Sequence, residues 1–199
     1  MRFTTIIIAA MLIAIAPAHA GNSLIPPNAR TAVAKSALTV TPGNEWNKLG
    51  ARPGRNSETW TLDGDLLNDV TFYGGIPSGK TLFREISKKH KPLPRVSSTM
   101  LITDIPVLLE NSYRIALDTP LMAIDAIEPA EFLGTKGIRF TYSFALPNEE
   151  LRRCGEARAA MVKGKLYMIT YEAPALHYFD TSVSAFRQLA DSATLAAVQ

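Results

Sequence analysis

The stretch Gly74-Gly75-Ile76-Pro77-Ser78-Gly79-Lys80-Thr81 has the full spacing of a phosphate-binding loop and follows a β-rich Val70–Tyr73. In such a loop, backbone N–H groups cradle phosphates, the lysine reaches the outer phosphates and the hydroxyl holds magnesium. That chemistry needs a helix directly after the lysine, and here the chain runs into His90-Lys91-Pro92. It also needs a parallel βαβ order with an acidic strand end for the metal, which the sequence does not offer. The stretch therefore reads as a glycine-rich turn. Cys154 and His177 pose a second temptation, a nucleophile and its base. Arg152 and Arg153 flank the thiol and would lower its pKa if they pointed at it. No third group is indicated, so Cys154 reads as a packed small residue. His90 and His177 stand alone in the chain beyond the N-terminal segment, which leaves a zinc ion without a ligand set. No nucleophile elbow is present, and Glu149-Glu150 reads as an exposed turn. No catalytic residue, cofactor or metal ligand is assigned.

The stretch from Lys80 to Arg95 carries a different chemistry. Lys80, Arg84, Lys88, Lys89, Lys91 and Arg95 face a single acid, Glu85. Like charges repel, and Pro92 and Pro94 prevent regular structure at the end of the run. Lys88, Lys89, Lys91, Arg84 and Arg95 form a candidate surface for an anionic partner. The competing reading is an ordinary solvated loop. Tyr167, Tyr171, Tyr178 and Phe179 could line a groove, but a strand and a helix both need such side chains for packing, and a core role is expected.

The N-terminus sets the address. Arg2, the apolar run Ile6–Ala16, Pro17 and the small-x-small Ala18-His19-Ala20 match a secretory signal, cleaved before Gly21. The apolar run is short of the roughly 20 residues of a membrane span, and no later segment is apolar enough to cross a bilayer. The net charge of +3 falls to +2 once Arg2 is removed, which argues against a generally basic nucleic-acid binder. Cys154 is the only cysteine, so no intramolecular disulfide forms and the exported chain must rely on its core. The periplasm is the expected location. The division expected is residues 1–20 as signal, 21–35 as a flexible lead-in and 36–196 as one domain.

The elements that must position these groups follow from periodicity. Short strands are expected at Ala37–Thr41, Glu58–Leu62 and Val70–Tyr73, the last ended by Gly74-Gly75. Glu45–Leu49 fits a helical turn or a short strand. Asp104–Ile115 reads as a helix, capped by Thr103 or Asp104, with Pro106 in its first turn and a stripe of Leu108, Leu109, Ser112 and Ala116. Leu121–Phe132 has strand character interrupted at Pro129. In Gly137–Leu146, Ile138, Phe140, Tyr142 and Phe144 alternate with polar residues, so one face is core. Glu156–Val162 and Lys165–Tyr171 form a hairpin about Lys163-Gly164. Phe179, Val183, Phe186, Ala190 and Ala193 step by four, three, four and three, one face of a helix. Strands joined by short turns are antiparallel, and each helix should lay its stripe on the sheet. The class is α+β, an antiparallel sheet flanked by helices.

This order resembles the PsbP-like fold, a layered sandwich of antiparallel sheet and helices. The ending KLYMITYEAP, followed by FRQLADSATL, resembles the last strand and closing helix of such domains. The resemblance implies an extrinsic, non-catalytic assembly or protein-binding subunit, and its photosynthetic metal ligands have no counterpart here. The chain is also similar to exported proteins of Gram-negative bacteria. The expected function is an exported, non-enzymatic accessory or binding protein acting through its surface, on an anionic envelope component or an acidic protein face. The alternatives are a small-ligand carrier with a pocket between sheet and helix, and a hydrolase.

Overall fold

The computed structural model describes residues 21–85, 92–147 and 149–196. The expected signal, residues 1–20, lies outside them, as do Lys88, Lys89, His90 and Lys91. In chain order the elements are β1 (Ser23–Ile25), β2 (Thr31–Ala32), β3 (Leu38–Val40), β4 (Trp46–Lys48), β5 (Ser57–Thr61), β6 (Asp69–Pro77), α1 (Ile105–Ala116), β7 (Ala123–Phe132), β8 (Thr135–Ala145), β9 (Arg152–Val162), β10 (Lys165–Pro174), α2 (Tyr178–Asp191) and β11 (Thr194–Leu195). Eight strands make one sheet in the order β1-β4-β5-β6-β10-β9-β8-β7, and β11-β3-β2 make a small second sheet. All pairings are antiparallel. The α+β class is as expected.

The hairpin of β9 and β10 is set by its turn. Lys163 has φ 49° and Gly164 φ 71°, the two positive values that match the twist of flanking strands in a two-residue loop. Alternation then sends β10 side chains to two cores. Leu166 and Met168 join Ile138, Phe140, Tyr142 and Phe144 of β8, under Ile105, Leu108, Leu109 and Tyr113 of α1. Tyr167, Ile169 and Tyr171 join Trp60, Val70 and Phe72, under Val183, Phe186, Leu189 and Ala190 of α2. The sheet is thus covered on both faces, one helix to each. The expected α2 stripe is the buried one, and Leu189 belongs to it as well.

Four details depart from the sequence reading. Residues 21–35 were expected as a flexible lead-in, yet β1 pairs with β4, β2 pairs with β3, and Val33 and Ala34 are fully buried. Apolar side chains with an open sheet edge and core to join gain more by docking than by staying solvated. Gly74-Gly75 do not end β6. The ladder passes from Tyr73↔Met168 to Ile76↔Leu166, so both glycines oppose Tyr167 in a bulge. Asp104 does not cap α1 with its side chain. A 3-10 turn, Ile102–Asp104, precedes the helix, and Asp104 Oδ2 accepts from the Leu101 N–H at 3.0 Å. Pro129 does not interrupt β7, because β7 is an edge strand, where proline is tolerated.

Candidate functional site

The antiparallel ladders give the sheet two ends. Loop 49–56, the turn after β6 and the Lys163-Gly164 turn share one end. There Arg55, Asn56, Pro77, Lys80, Thr81, Phe83 and Arg84 line an open pocket of about 330 Å³. Its walls are fixed by backbone bonds. Gly74 N–H donates to Asn56 O at 2.9 Å, Arg84 N–H to Pro53 O at 2.9 Å, and Val96 N–H to Lys80 O at 2.9 Å. Gly54 packs so closely that a Cβ there would lie 2.1 Å from Leu82 O. Among the described residues, Arg55, Lys80 and Arg84 enter no ion pair. Three exposed cations line one concavity and no acid does, the adjacent Glu85 being paired with Arg95, which sets a positive potential suited to an anion. Phe83 supplies the apolar wall and is held edge-on by Tyr73 and Tyr113, at 6.4 and 5.5 Å between ring centres.

Of the sequence-derived candidates, Arg84 lines this pocket. Arg95 stands beside it but is engaged: Nη1 donates to Gly79 O at 2.7 Å and Nη2 to Glu85 Oε1 at 2.9 Å. Lys88, Lys89 and Lys91 lie outside the described residues. Arg55 was missed because the GARPGRNS loop is distant in sequence; the only signal was its charge.

The phosphate-loop pattern does not fold as one. Gly74 to Pro77 belong to β6, the neighbouring strands are antiparallel, and no helix follows Lys80 through Glu85. The Gly79 and Lys80 N–H groups are spent on Val96 O and Pro77 O. Cys154 lies in β9 opposite Ala173, and burial pushes its thiol up despite the lowering influence of Arg152. That is the reverse of nucleophile activation. Tyr171 stacks on Phe186 at 5.4 Å, and its hydroxyl donates to the Tyr178 and Phe179 carbonyls, so the aromatic cluster is core.

Two interior polar clusters were missed. On the α1 face, Glu172 Oε1 accepts from the hydroxyls of Tyr113 and, at 2.7 Å, Tyr142. Asp69 is its direct cross-strand neighbour, and Asp69 Oδ1 is buried without a partner among the described residues. Burial first, then the charge of Glu172, pushes the Asp69 carboxyl up to about 8. On the α2 face, the buried Glu156 receives Arg187 at 2.7 Å and Arg139 at 3.0 Å, with Arg158 at 3.8 Å. Burial pushes Glu156 up, but hydrogen bonds and charge from Arg187 and Arg139 outweigh it and hold the carboxyl low. Glu172, Asp69 and Glu156 each sit at core-facing parity in a strand, a signal that marks them as interior but not which partners reach them. Among the described residues no cluster of metal-ligating side chains forms.

No protein-family model matches the chain, and no curated protein sequence matches it. The fold is similar to that of cyanobacterial PsbP (CyanoP) from Synechocystis sp. PCC 6803, with a TM-score of 0.55 and 18% identity, covering 86% of this chain and 94% of that one. LpqN of Mycobacterium tuberculosis, involved in cell envelope biogenesis, overlaps loosely, with a TM-score of 0.34 and 8% identity over 88% of this chain and 92% of that one. The chain therefore has a PsbP-like fold, as its C-terminal strand and helix indicated.

Proposed function

We propose that this is an exported, periplasmic, non-enzymatic accessory protein that holds an anionic component of the cell envelope at the cationic end of its sheet. The observation that carries the reading is the pocket in which Arg55, Lys80 and Arg84 converge without an acid. The signal-like N-terminus supports export. Among the described residues, no helix is long and apolar enough to cross a membrane. Lys88, Lys89 and Lys91 continue the same basic stretch and are included in the proposed surface; Arg95 serves as a brace for the turn. The two alternatives have less support. Tyr171 stacks on Phe186 beneath α2, where a carrier would need space, and burial pushes the Cys154 thiol up, away from activation.

The test is co-sedimentation of the mature chain with purified envelope, and with vesicles of phosphatidylglycerol or of phosphatidylcholine, at low and high salt. Exposed charges are screened beyond about 8 Å at physiological ionic strength, so binding should weaken with salt. Arg55→Glu/Lys80→Glu/Arg84→Glu should lower binding at least tenfold, and Lys88→Glu/Lys89→Glu/Lys91→Glu should lower it further. Binding that ignores salt and both variants would end the proposal.

A further inference from the structure

The opposite end of the sheet has a different surface. Four connections meet there: the β5–β6 loop, the α1–β7 loop, the β8–β9 loop and the β10–α2 loop. Each presents a leucine to solvent. Leu66 is 70% exposed, Leu121 75%, Leu151 43% and Leu176 78%, and these are half of the large apolar side chains exposed among the described residues. Single exposed leucines are ordinary, but a group at one end of a molecule marks an interaction surface. The loops are tied to one another: Arg153 Nη1 donates to Leu66 O at 3.1 Å, and Ala175 N–H donates to Arg152 O at 2.9 Å. The backbone beside three of the four leucines is thereby fixed before any partner arrives, which lowers the entropic cost of docking.

The charges around the leucines say what fits. Asp63, Asp65, Asp118, Glu149, Glu150 and Asp180 are exposed on the same loops and the first turn of α2. Against them stand three arginines, each already engaged: Arg152 with Asp125 and Ser143, at 3.8 and 2.7 Å, Arg114 with Glu110 and Met122 O, and the buried Arg153 with Leu66 O. Leucines at loop tips could enter a bilayer, but this acidic ring would be repelled by anionic lipid head groups. A protein with an apolar groove and a basic rim is complementary on both counts. We infer that the leucine-tipped, acidic end of the sheet is a docking surface for a second, different protein whose apolar groove is rimmed by Lys and Arg. With the cationic pocket at the far end, one molecule can then connect an anionic envelope component to a protein. The docking surface does not depend on the pocket reading, because it shares no residue with it.

The test uses the full chain in the cells that make it, with a photo-crosslinking benzoylphenylalanine at Leu66, at Leu176, or at the exposed control Leu101, ahead of α1 at the end of the sheet where Ser98 packs by the Lys163-Gly164 turn. The expected result is one protein, identified by mass spectrometry, joined at Leu66 and at Leu176 and absent at Leu101. That protein, purified, should bind with a Kd at least tenfold weaker to Leu66→Ser/Leu176→Ser and to Asp65→Lys/Glu150→Lys, and unchanged for Arg55→Glu/Lys80→Glu. The variants sit on exposed loops, so melting curves should overlay wild type. Crosslinks only to lipid, or only to another copy of the chain, or no crosslink at either leucine, would each overturn the inference. So would a crosslinked partner whose affinity ignores the acid reversal.

Discussion

Glu156 and Asp69 are interior carboxyls on opposite faces of one sheet, and they respond to pH in opposite senses. Glu156 is held low by Arg187 and Arg139 against its burial. Its contribution is present at neutral pH and is lost as pH falls through its folded pKa. Glu156→Gln removes the buried charge that the part-exposed guanidinium groups of Arg187 and Arg139 answer, and losing a hydrogen bond to a charged group costs about 1.5–3 kcal/mol. The expected result is a lower Tm at pH 7 and a smaller gap from wild type in acid. Asp69 is the converse. Its carboxyl is raised from 3.8 to about 8, so the folded state keeps a proton that the unfolded chain releases. The stabilising contribution is complete below about pH 4 and disappears as pH rises through about 8. Asp69→Asn should therefore raise Tm at pH 8, by about 2–4 °C for each kcal/mol relieved, and have little effect at pH 4. Equal shifts at both pH values would show that the carboxyl does not titrate in this window. Neither acid was legible as a site in the sequence. Glu172 alternates in phase with Leu166 and Met168, but strand parity alone does not reveal that Tyr113 and Tyr142 will reach it from a helix and another strand.

At the scale of elements, the sequence was most informative where periodicity is strong. The β9–β10 hairpin, the alternating β8 and the α2 stripe are all where local pattern placed them. It was weakest where a tertiary partner decides the outcome. β1 and β2 have three and two residues and become strands only because β4 and β3 offer open ladders. The β6 bulge was hidden for the same reason, since glycines look like a stop until the Tyr167 side chain opposite them is known. Gly75 has φ +66°, and a Cβ there would lie 2.7 Å from the Tyr167 hydroxyl. Gly75→Val should destabilise by about 1–3 kcal/mol from backbone strain and overpacking, read by urea unfolding. A midpoint equal to wild type would mean that the bulge relaxes freely. For α2, Phe186 is completely buried and stacks on Tyr171. Phe186→Ala should cost about 3–5 kcal/mol, and an unchanged Tm would mean that α2 does not hold its face of the sheet. The candidate pocket was half legible. Lys80 and Arg84 stand in a basic run, but Arg55 reaches them only through the Arg84–Pro53 and Gly74–Asn56 backbone bonds.

At the scale of the whole molecule, one eight-stranded sheet is shared by two cores, with a small three-stranded sheet beside it, and this makes a prediction about cooperativity. β6 gives Val70 and Phe72 to the α2 core and Tyr73 and Ile76 to the α1 core; β10 divides in the same way. Neither core can lose its strands without stripping the other. Both tryptophans of the chain, Trp46 and Trp60, are in the α2 core, so their fluorescence reports on that side alone. Leu109 of α1 is fully buried in the opposite core and makes no part of the tryptophan environment. Leu109→Ala removes a buried side chain at a cost of about 2–5 kcal/mol. If the cores unfold together, this substitution lowers the midpoint seen by tryptophan fluorescence by the same amount as that seen by far-ultraviolet circular dichroism, in a single transition. If the two faces melt separately, the fluorescence midpoint stays at the wild-type value while part of the dichroism is lost earlier. The first outcome is expected, because the strands between the helices are common to both sides and the break must pass through them.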